Sequence, residues 1–205
     1  MKNKEKILNK NKIIITVIAS ISAAVFGVYK YKNKKKIILR GIPGSGKTTL
    51  AYVLNKDIKK LKEGGIATNN TPKKPIVIKS QYIFFPCAEF YDTAGSEHLN
   101  EANEEIQEQC NMIVYLFDSS KFDKNSKTIF SQIKSCKSDK DRELKIIGTH
   151  SLSLSNEQKT KIRNQVNQET GGVSLEFFEL KEDIKEEKDC EKRSEEIINF
   201  ILPDN

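Results

Sequence analysis

The residues with the most definite chemistry are Gly41-Ile42-Pro43-Gly44-Ser45-Gly46-Lys47-Thr48, which satisfy the spacing GxxxxGK[ST] in full. Glycines at this spacing let the backbone curl until several N–H groups point at one anion. Lys47 supplies a point charge for β- and γ-phosphate oxygens, and the Thr48 hydroxyl is a hard oxygen ligand for Mg²⁺. Such a loop works only between a strand and a helix, because the helix N-terminus adds its positive dipole. Both are predicted: Lys36–Arg40 (KIILR) reads as a strand and Lys47–Lys60 as a helix. The chemistry indicated is binding of a nucleoside phosphate. The loop by itself does not choose between ATP and GTP.

A second constellation follows in Glu89-Phe90-Tyr91-Asp92-Thr93-Ala94-Gly95, with an acid closing a predicted strand and a glycine three residues later. Asp92 can hold Mg²⁺ through a water, and the Gly95 N–H can approach a γ-phosphate because no side chain blocks it. Together they would sense the third phosphate.

The elements that must position these residues alternate between β-rich apolar runs and helix-patterned polar stretches. Glu63–Pro75 reads as a loop, since Gly, Asn, Thr and Pro crowd it. Strand segments are expected at Ile76–Ile78 and Glu89–Asp92 with a connection near Pro86, then a helix at Leu99–Gln109 and a buried strand at Met112–Asp118. A helix near Ser126–Cys136, strand Leu144–Thr149, helix Asn156–Glu169, strand Val173–Leu180 and a helix near Glu187–Leu202 complete the chain. That alternation predicts a three-layer α/β fold, with a mainly parallel sheet covered on both faces and its binding site beyond the strand C-termini.

The 205 residues suffice for one ordinary domain and an appendage, and 37% hydrophobic residues can build its core. A net charge of +7 would suit nucleic acid if it were spread over the surface, but it is not. Residues 1–40 hold ten lysines and Arg40 against Glu5 alone, a net of +10, whereas the other 165 residues carry 24 bases and 27 acids, a net of −3. A nucleic-acid partner is therefore not expected.

The basic excess brackets an apolar run, Ile13–Tyr31, whose only charge is Lys30. As a helix its 19 residues would be roughly 28 Å long, close to the bilayer's hydrocarbon thickness. A signal peptide would place a cleavage site near Ala23-Ala24, but a lysine cluster follows; a surface helix would need a polar face, and Thr16, Ser20 and Ser22 do not make one. The expectation is a single-pass membrane anchor at 13–31, with a Lys-rich tail at 1–12, a basic linker at 32–36 and a P-loop domain at 37–205. Flanking charge is nearly balanced: Lys2, Lys4, Lys6, Lys10 and Lys12 precede the run, and Lys30, Lys32, Lys34, Lys35, Lys36 and Arg40 follow it. Cys87, Cys110, Cys136 and Cys190 lie at wide, irregular spacings that suit free thiols in a reducing compartment rather than a disulfide or zinc framework. With a nucleotide as ligand, the domain is expected to face the cytosol.

With GIPGSGKTT as a first motif, DTAG as a third and MIVYLFDSS as the strand that follows, the chain resembles the Ras-like small GTPases. The resemblance spans about 36–202 and is nearest in pattern to the Arf, Roc and signal-recognition-particle-receptor β branches. It implies a G-domain fold, GTP or GDP with Mg²⁺ as ligands, and a cradle of Gly41, Gly44, Ser45, Gly46, Lys47, Thr48 and Thr49. Lys47 would also stabilise charge during phosphoryl transfer. A switch threonine touching Mg²⁺ and the γ-phosphate is implied too; Thr71 is preferred, 21 residues before Asp92, with Thr68 the alternative at 24. Metal contacts would then come from Thr48, Thr71 and Asp92, and a γ-phosphate contact from Gly95.

Two departures matter. The family's water-orienting glutamine is replaced by Ser96, which is too short for that task; His98 is the nearby group able to polarise a water. The base-reading motif, THxD in one variant, becomes Thr149-His150-Ser151-Leu152, with leucine in place of the aspartate that reads the guanine N1 and N2 protons. Glu157 or a backbone carbonyl could substitute. The last family motif maps onto Glu179-Leu180-Lys181, where the Leu180 N–H would meet the base oxygen. The expected function is a membrane-anchored GTPase of slow turnover that switches a protein partner through segments near Glu63–Pro75 and Gly95–Gln109. A pseudo-GTPase scaffold and an ATP-using P-loop enzyme remain the alternatives.

Overall fold

In the computed structural model the described residues are 35–63, 76–79, 86–92, 108–138 and 142–203. The expected anchor at 13–31 lies outside them. Among the described residues no helix is long and apolar enough to cross a membrane.

Strands β1 (Lys35–Arg40), β2 (Ile76–Lys79), β3 (Pro86–Asp92), β4 (Met112–Asp118), β5 (Glu143–Thr149) and β6 (Leu175–Phe177) form one sheet in the order β2-β3-β1-β4-β5-β6. Neighbours pair in parallel except β2, which runs antiparallel to β3 at one edge. Helices α1 (Lys47–Leu54), α2 (Ile58–Glu63), α3 (Phe122–Ser138), α4 (Asn156–Thr170) and α5 (Glu187–Ile201), with a 3-10 turn at Ser119–Lys121, are the other described elements.

The apolar run of β4 is buried at all seven positions, and its side chains divide between the two faces with period two. Met112, Val114 and Leu116 join Ile37 and Leu39 of β1 in a core with Leu50 and Val53 of α1 and Cys190, Ile197 and Ile201 of α5. Ile113, Tyr115 and Phe117 join Ile38 on the opposite face, against Phe122, Ile129 and Ile133 of α3 and Ile162 and Val166 of α4. The expected three-layer α/β fold is therefore present over the described residues. Cys110, Cys136 and Cys190 are buried in these layers and form no disulfide among the described residues.

Four of the differences from the sequence reading have a visible local cause. Strand β1 begins at Lys35, inside the expected linker, because the Lys36 N–H donates to Asn111 Oδ1 at 3.1 Å and the Lys35 ammonium meets Glu143 at 3.1 Å. The helix expected over 47–60 is two helices. At its break Lys56 takes a left-handed φ of 56°, and the N–H groups of Lys56 and Asp57 return to Val53 O and Tyr52 O at 3.0 and 2.9 Å. That reciprocal pair is a Schellman termination, and Asp57 then caps α2 through Lys60 N at 3.2 Å. Strand β3 starts at Pro86, where a connection was expected; a proline is tolerated as the first residue of a strand. Strand β6 is shorter than Val173–Leu180, because β5 ends at Thr149 and leaves no partner beyond Phe178 N, which bonds Gly148 O at 2.9 Å.

Candidate nucleotide site

The loop between β1 and α1 has the shape its glycines permit. Gly41 adopts φ 143°, and a Cβ there would sit 2.0 Å from Leu116 O and 2.7 Å from Ser45 Oγ, so no other residue fits without moving the β4 backbone. Gly46 is the N-cap of α1 at φ 89°, ψ 13°, and Gly44 has φ 75°. Ser45 is fully buried and Ser45 N closes the turn on Ile42 O at 3.2 Å. Left-handed conformations at 44 and 46 aim the following N–H groups into the concavity that α1 heads.

Lys47 is 7% exposed and bends back over the loop. Its ammonium donates to Gly41 O at 2.7 Å and Ile42 O at 3.0 Å, with Ser45 Oγ at 3.4 Å. These carbonyls hold the ammonium over the loop, where an anion seated in the cradle would meet it. Thr48 and Thr49 follow it in the first turn, both half-buried.

Of the other expected residues, Asp92 by its backbone, Thr149, His150 and Leu180 lie along this edge. β3 ends with Asp92 opposite Leu39 in the parallel register, two residues before the loop begins. At the end of β5 the buried Thr149 hydroxyl lies 3.0 Å from Ser45 O and 3.1 Å from Phe117 O, both acceptors for its single proton. His150 follows at a left-handed φ of 52°, its Nδ1 2.9 Å from Thr149 Oγ1. With the hydroxyl proton given to a carbonyl, the His150 Nδ1–H donates to that oxygen. Leu152, at the family's aspartate position, is 56% exposed and is the one exposed large hydrophobic among the described residues. Leu180 is buried with its Cδ1 3.3 Å from where a Gly46 Cβ would stand; its N–H, expected to meet the base oxygen, donates to Glu179 Oε1 at 3.1 Å. Glu157 is exposed in the first turn of α4.

Thr68, Thr71, Gly95, Ser96 and His98 lie outside the described residues, and so does the Asp92 side chain.

One group escaped the sequence reading. Asp118 closes β4 with its side chain 5% exposed, accepting from Ser120 Oγ at 2.6 Å, Ser120 N at 3.1 Å and Lys121 Nζ at 2.7 Å. Burial opposes its ionisation, but the Lys121 and Ser120 hydrogen bonds and the nearby His150 outweigh burial and hold the carboxyl below its ordinary value. The adjacent Ser119 hydroxyl donates to Thr149 O. An acid ending a wholly apolar strand, followed by two serines, was the available signal for a cap that ties β4 to the loop after β5.

The family model described as 50S ribosome-binding GTPase matches residues 36–150, more than half of the chain. The chain belongs to this GTPase family. No curated protein matches it. Among solved structures the GTPase domain is similar to the bacterial selenocysteine-specific elongation factor EF-Sec, with a TM-score of 0.56 and 14% identity over 83% of this chain. The match spans only 28% of the elongation factor. It is also similar to the Arl6 small GTPase of Trypanosoma brucei, crystallised with the nucleotide analogue GppNp, with a TM-score of 0.52 and 14% identity over 82% of this chain and 99% of that one. At such identities the structures speak for the fold: a P-loop G domain.

Proposed function

We propose that the chain is a membrane-anchored small GTPase that binds GTP with Mg²⁺, hydrolyses it slowly and switches a protein partner. The observation that carries the nucleotide part is the loop 41–48, where Gly41 has no room for a side chain and Lys47 lies folded over the cradle at the head of α1. Membership of the GTPase family favours guanine over adenine nucleotides.

The donor set fits Mg²⁺. Thr48 opens α1 and Asp92 closes the strand beside β1, and both offer the hard oxygens that Mg²⁺ takes alongside phosphate and water. Thr48 and Asp92 would hold the ion, with Thr71 joining them in this reading. Bound there, Mg²⁺ would neutralise charge on the β- and γ-phosphates. Lys47 binds and orients the same oxygens, while the N–H groups of Gly44 to Thr49 surround them. Ser96 cannot orient a water as a glutamine does, so turnover is slow, or waits for a partner that supplies the group; His98 is the residue nearest to that task. Gly95 reports the γ-phosphate, and the segments near Glu63–Pro75 and Gly95–Gln109 present the result to a partner. The anchor is supported by the lysine-bracketed apolar run at 13–31, which leaves the domain on the cytosolic side, where the nucleotide is.

Exposed Leu152 favours a second reading, a scaffold that binds nucleotide without useful turnover. One experiment separates the two. The full chain is purified in detergent, its bound nucleotide is released by heat and identified, and phosphate release is followed with and without Mg²⁺. A guanine nucleotide with Mg²⁺-dependent release supports the GTPase; guanine nucleotide without any release supports the scaffold; bound ATP overturns both. Recovery of the protein in the soluble fraction of disrupted cells would overturn the anchor.

A further inference from the structure

Glu179 follows β6 and is 4% exposed. Its Oε1 accepts from the N–H groups of Leu180 at 3.1 Å and Lys181 at 3.4 Å. Its Oε2 is buried and receives no hydrogen bond. A buried carboxylate with one oxygen satisfied and the other orphaned is costly unless a donor arrives to meet it.

The location says which donor. Strands β5 and β6 run parallel with Gly148 opposite Phe177, so residues 149–152 and 179–181 leave the sheet side by side. Gly46 of the phosphate loop touches both exits, since a Cβ there would stand 3.3 Å from Leu180 Cδ1 and 3.3 Å from Thr149 Cγ2. Gln165, Asp183 and Ser194 also carry an orphaned buried oxygen, but they belong to α4, the turn before α5, and α5. Among the described residues, Glu179 alone places one beside the phosphate loop, at the strand exits where a nucleotide held by the loop would put its base.

We propose that Glu179 is the base-reading residue of this domain: its carboxylate accepts the guanine N1–H and N2–H, in place of the aspartate whose position Leu152 holds. This rests on the nucleotide-binding reading above and adds the source of its base specificity. Guanine presents two adjacent donors on that edge and answers an orphaned carboxylate oxygen. Adenine presents its N1 lone pair beside the N6 amino group, so the same oxygen meets an acceptor. Hypoxanthine keeps N1–H but lacks the 2-amino group, and it should fall between them. A site built around a buried polar group rejects analogues that leave that group unpaired.

The test uses nucleotide-free full-length protein with Mg²⁺ and measures dissociation constants for GDP, IDP and ADP. The wild type should bind GDP roughly 10- to 100-fold more tightly than ADP, the range of a hydrogen bond to a charged acceptor, with IDP in between. Glu179→Gln turns an amide N–H toward the base, so it should bring the three constants close together by weakening GDP while leaving ADP no weaker. Glu179→Asp withdraws the carboxylate by one methylene and keeps its charge; it should also shrink the GDP preference, and serves where the glutamine variant does not fold. A wild-type preference that survives in both variants would overturn Glu179 as the reader and leave nucleotide binding standing. Equal wild-type affinities would also overturn the proposal, whereas failure to bind any of the three would overturn the nucleotide reading itself.

Discussion

The Thr149 hydroxyl donates to the Ser45 carbonyl or to that of Phe117, 3.0 and 3.1 Å away, joining the phosphate loop to the end of β5 across a separation of 104 residues. Ser45 and Phe117 are both fully buried, so neither carbonyl has water as an alternative donor. Thr149→Val keeps the shape and removes the proton. It should lower stability by about 1–3 kcal/mol in urea unfolding and weaken nucleotide binding, whereas Thr149→Ser should retain most of both. Equal losses in the two variants would mean that the methyl group, not the hydroxyl, holds the loop.

Lys47 makes a separable prediction. Its ammonium rests on the Gly41 and Ile42 carbonyls, so Lys47→Ala should remove a charge aimed at phosphate while leaving the apolar layers intact. Nucleotide affinity should fall by at least about 10- to 100-fold, as expected for charge-assisted hydrogen bonds. Lys47→Arg should not rescue it, because a planar fork does not fit a site built around a point charge. Affinity unchanged in the alanine variant would show that the loop no longer binds phosphate.

The break after α1 can be read as a local cost. Lys56 holds a left-handed backbone at φ 56°, which for a residue with a Cβ is unfavourable by about 1–2 kcal/mol. Lys56→Gly should therefore stabilise the domain by roughly 0.5–1 kcal/mol in urea unfolding, after the extra entropy of an unfolded glycine is subtracted. The lost ion pair to Glu191, exposed at 3.4 Å, offsets little. A destabilised variant would show that the Lys56 side chain matters more than its backbone strain.

That position also shows where sequence reading stops. The seven-residue run of β4, the strand-loop-helix around 41–48 and the amphipathic period of α3 were legible because each announces itself in neighbouring residues. The helix break was hidden because Asn55-Lys56 carries neither glycine nor proline, and only the Asp57 cap hints at a restart. The same contrast holds at the site. Gly41 and Lys47 are recognisable from spacing, but the burial of Glu179 is imposed by β6 lying beside β5 and by Leu180 entering the core under Gly46. An acid after a short apolar strand looks like an ordinary loop residue until those contacts are known.

Asp118 carries the pH prediction. Burial works against its charge, yet the Lys121 and Ser120 hydrogen bonds prevail and lower its native pKa from 3.8. A group lowered on folding binds its proton less readily in the native state, so its contribution is complete above the unfolded value and is lost as pH falls through the native one. Asp118→Asn should thus be less stable than wild type by about 1–3 kcal/mol at pH 7, and the difference should narrow as the pH drops below 3.8. Urea unfolding of both proteins between pH 3 and 7 measures this directly. A gap of constant size across that range would assign the effect to hydrogen-bond geometry at Ser120 rather than to the charge. If the gap narrows, the carboxylate itself is what fastens the end of β4 beside His150 and the loop that carries Thr149.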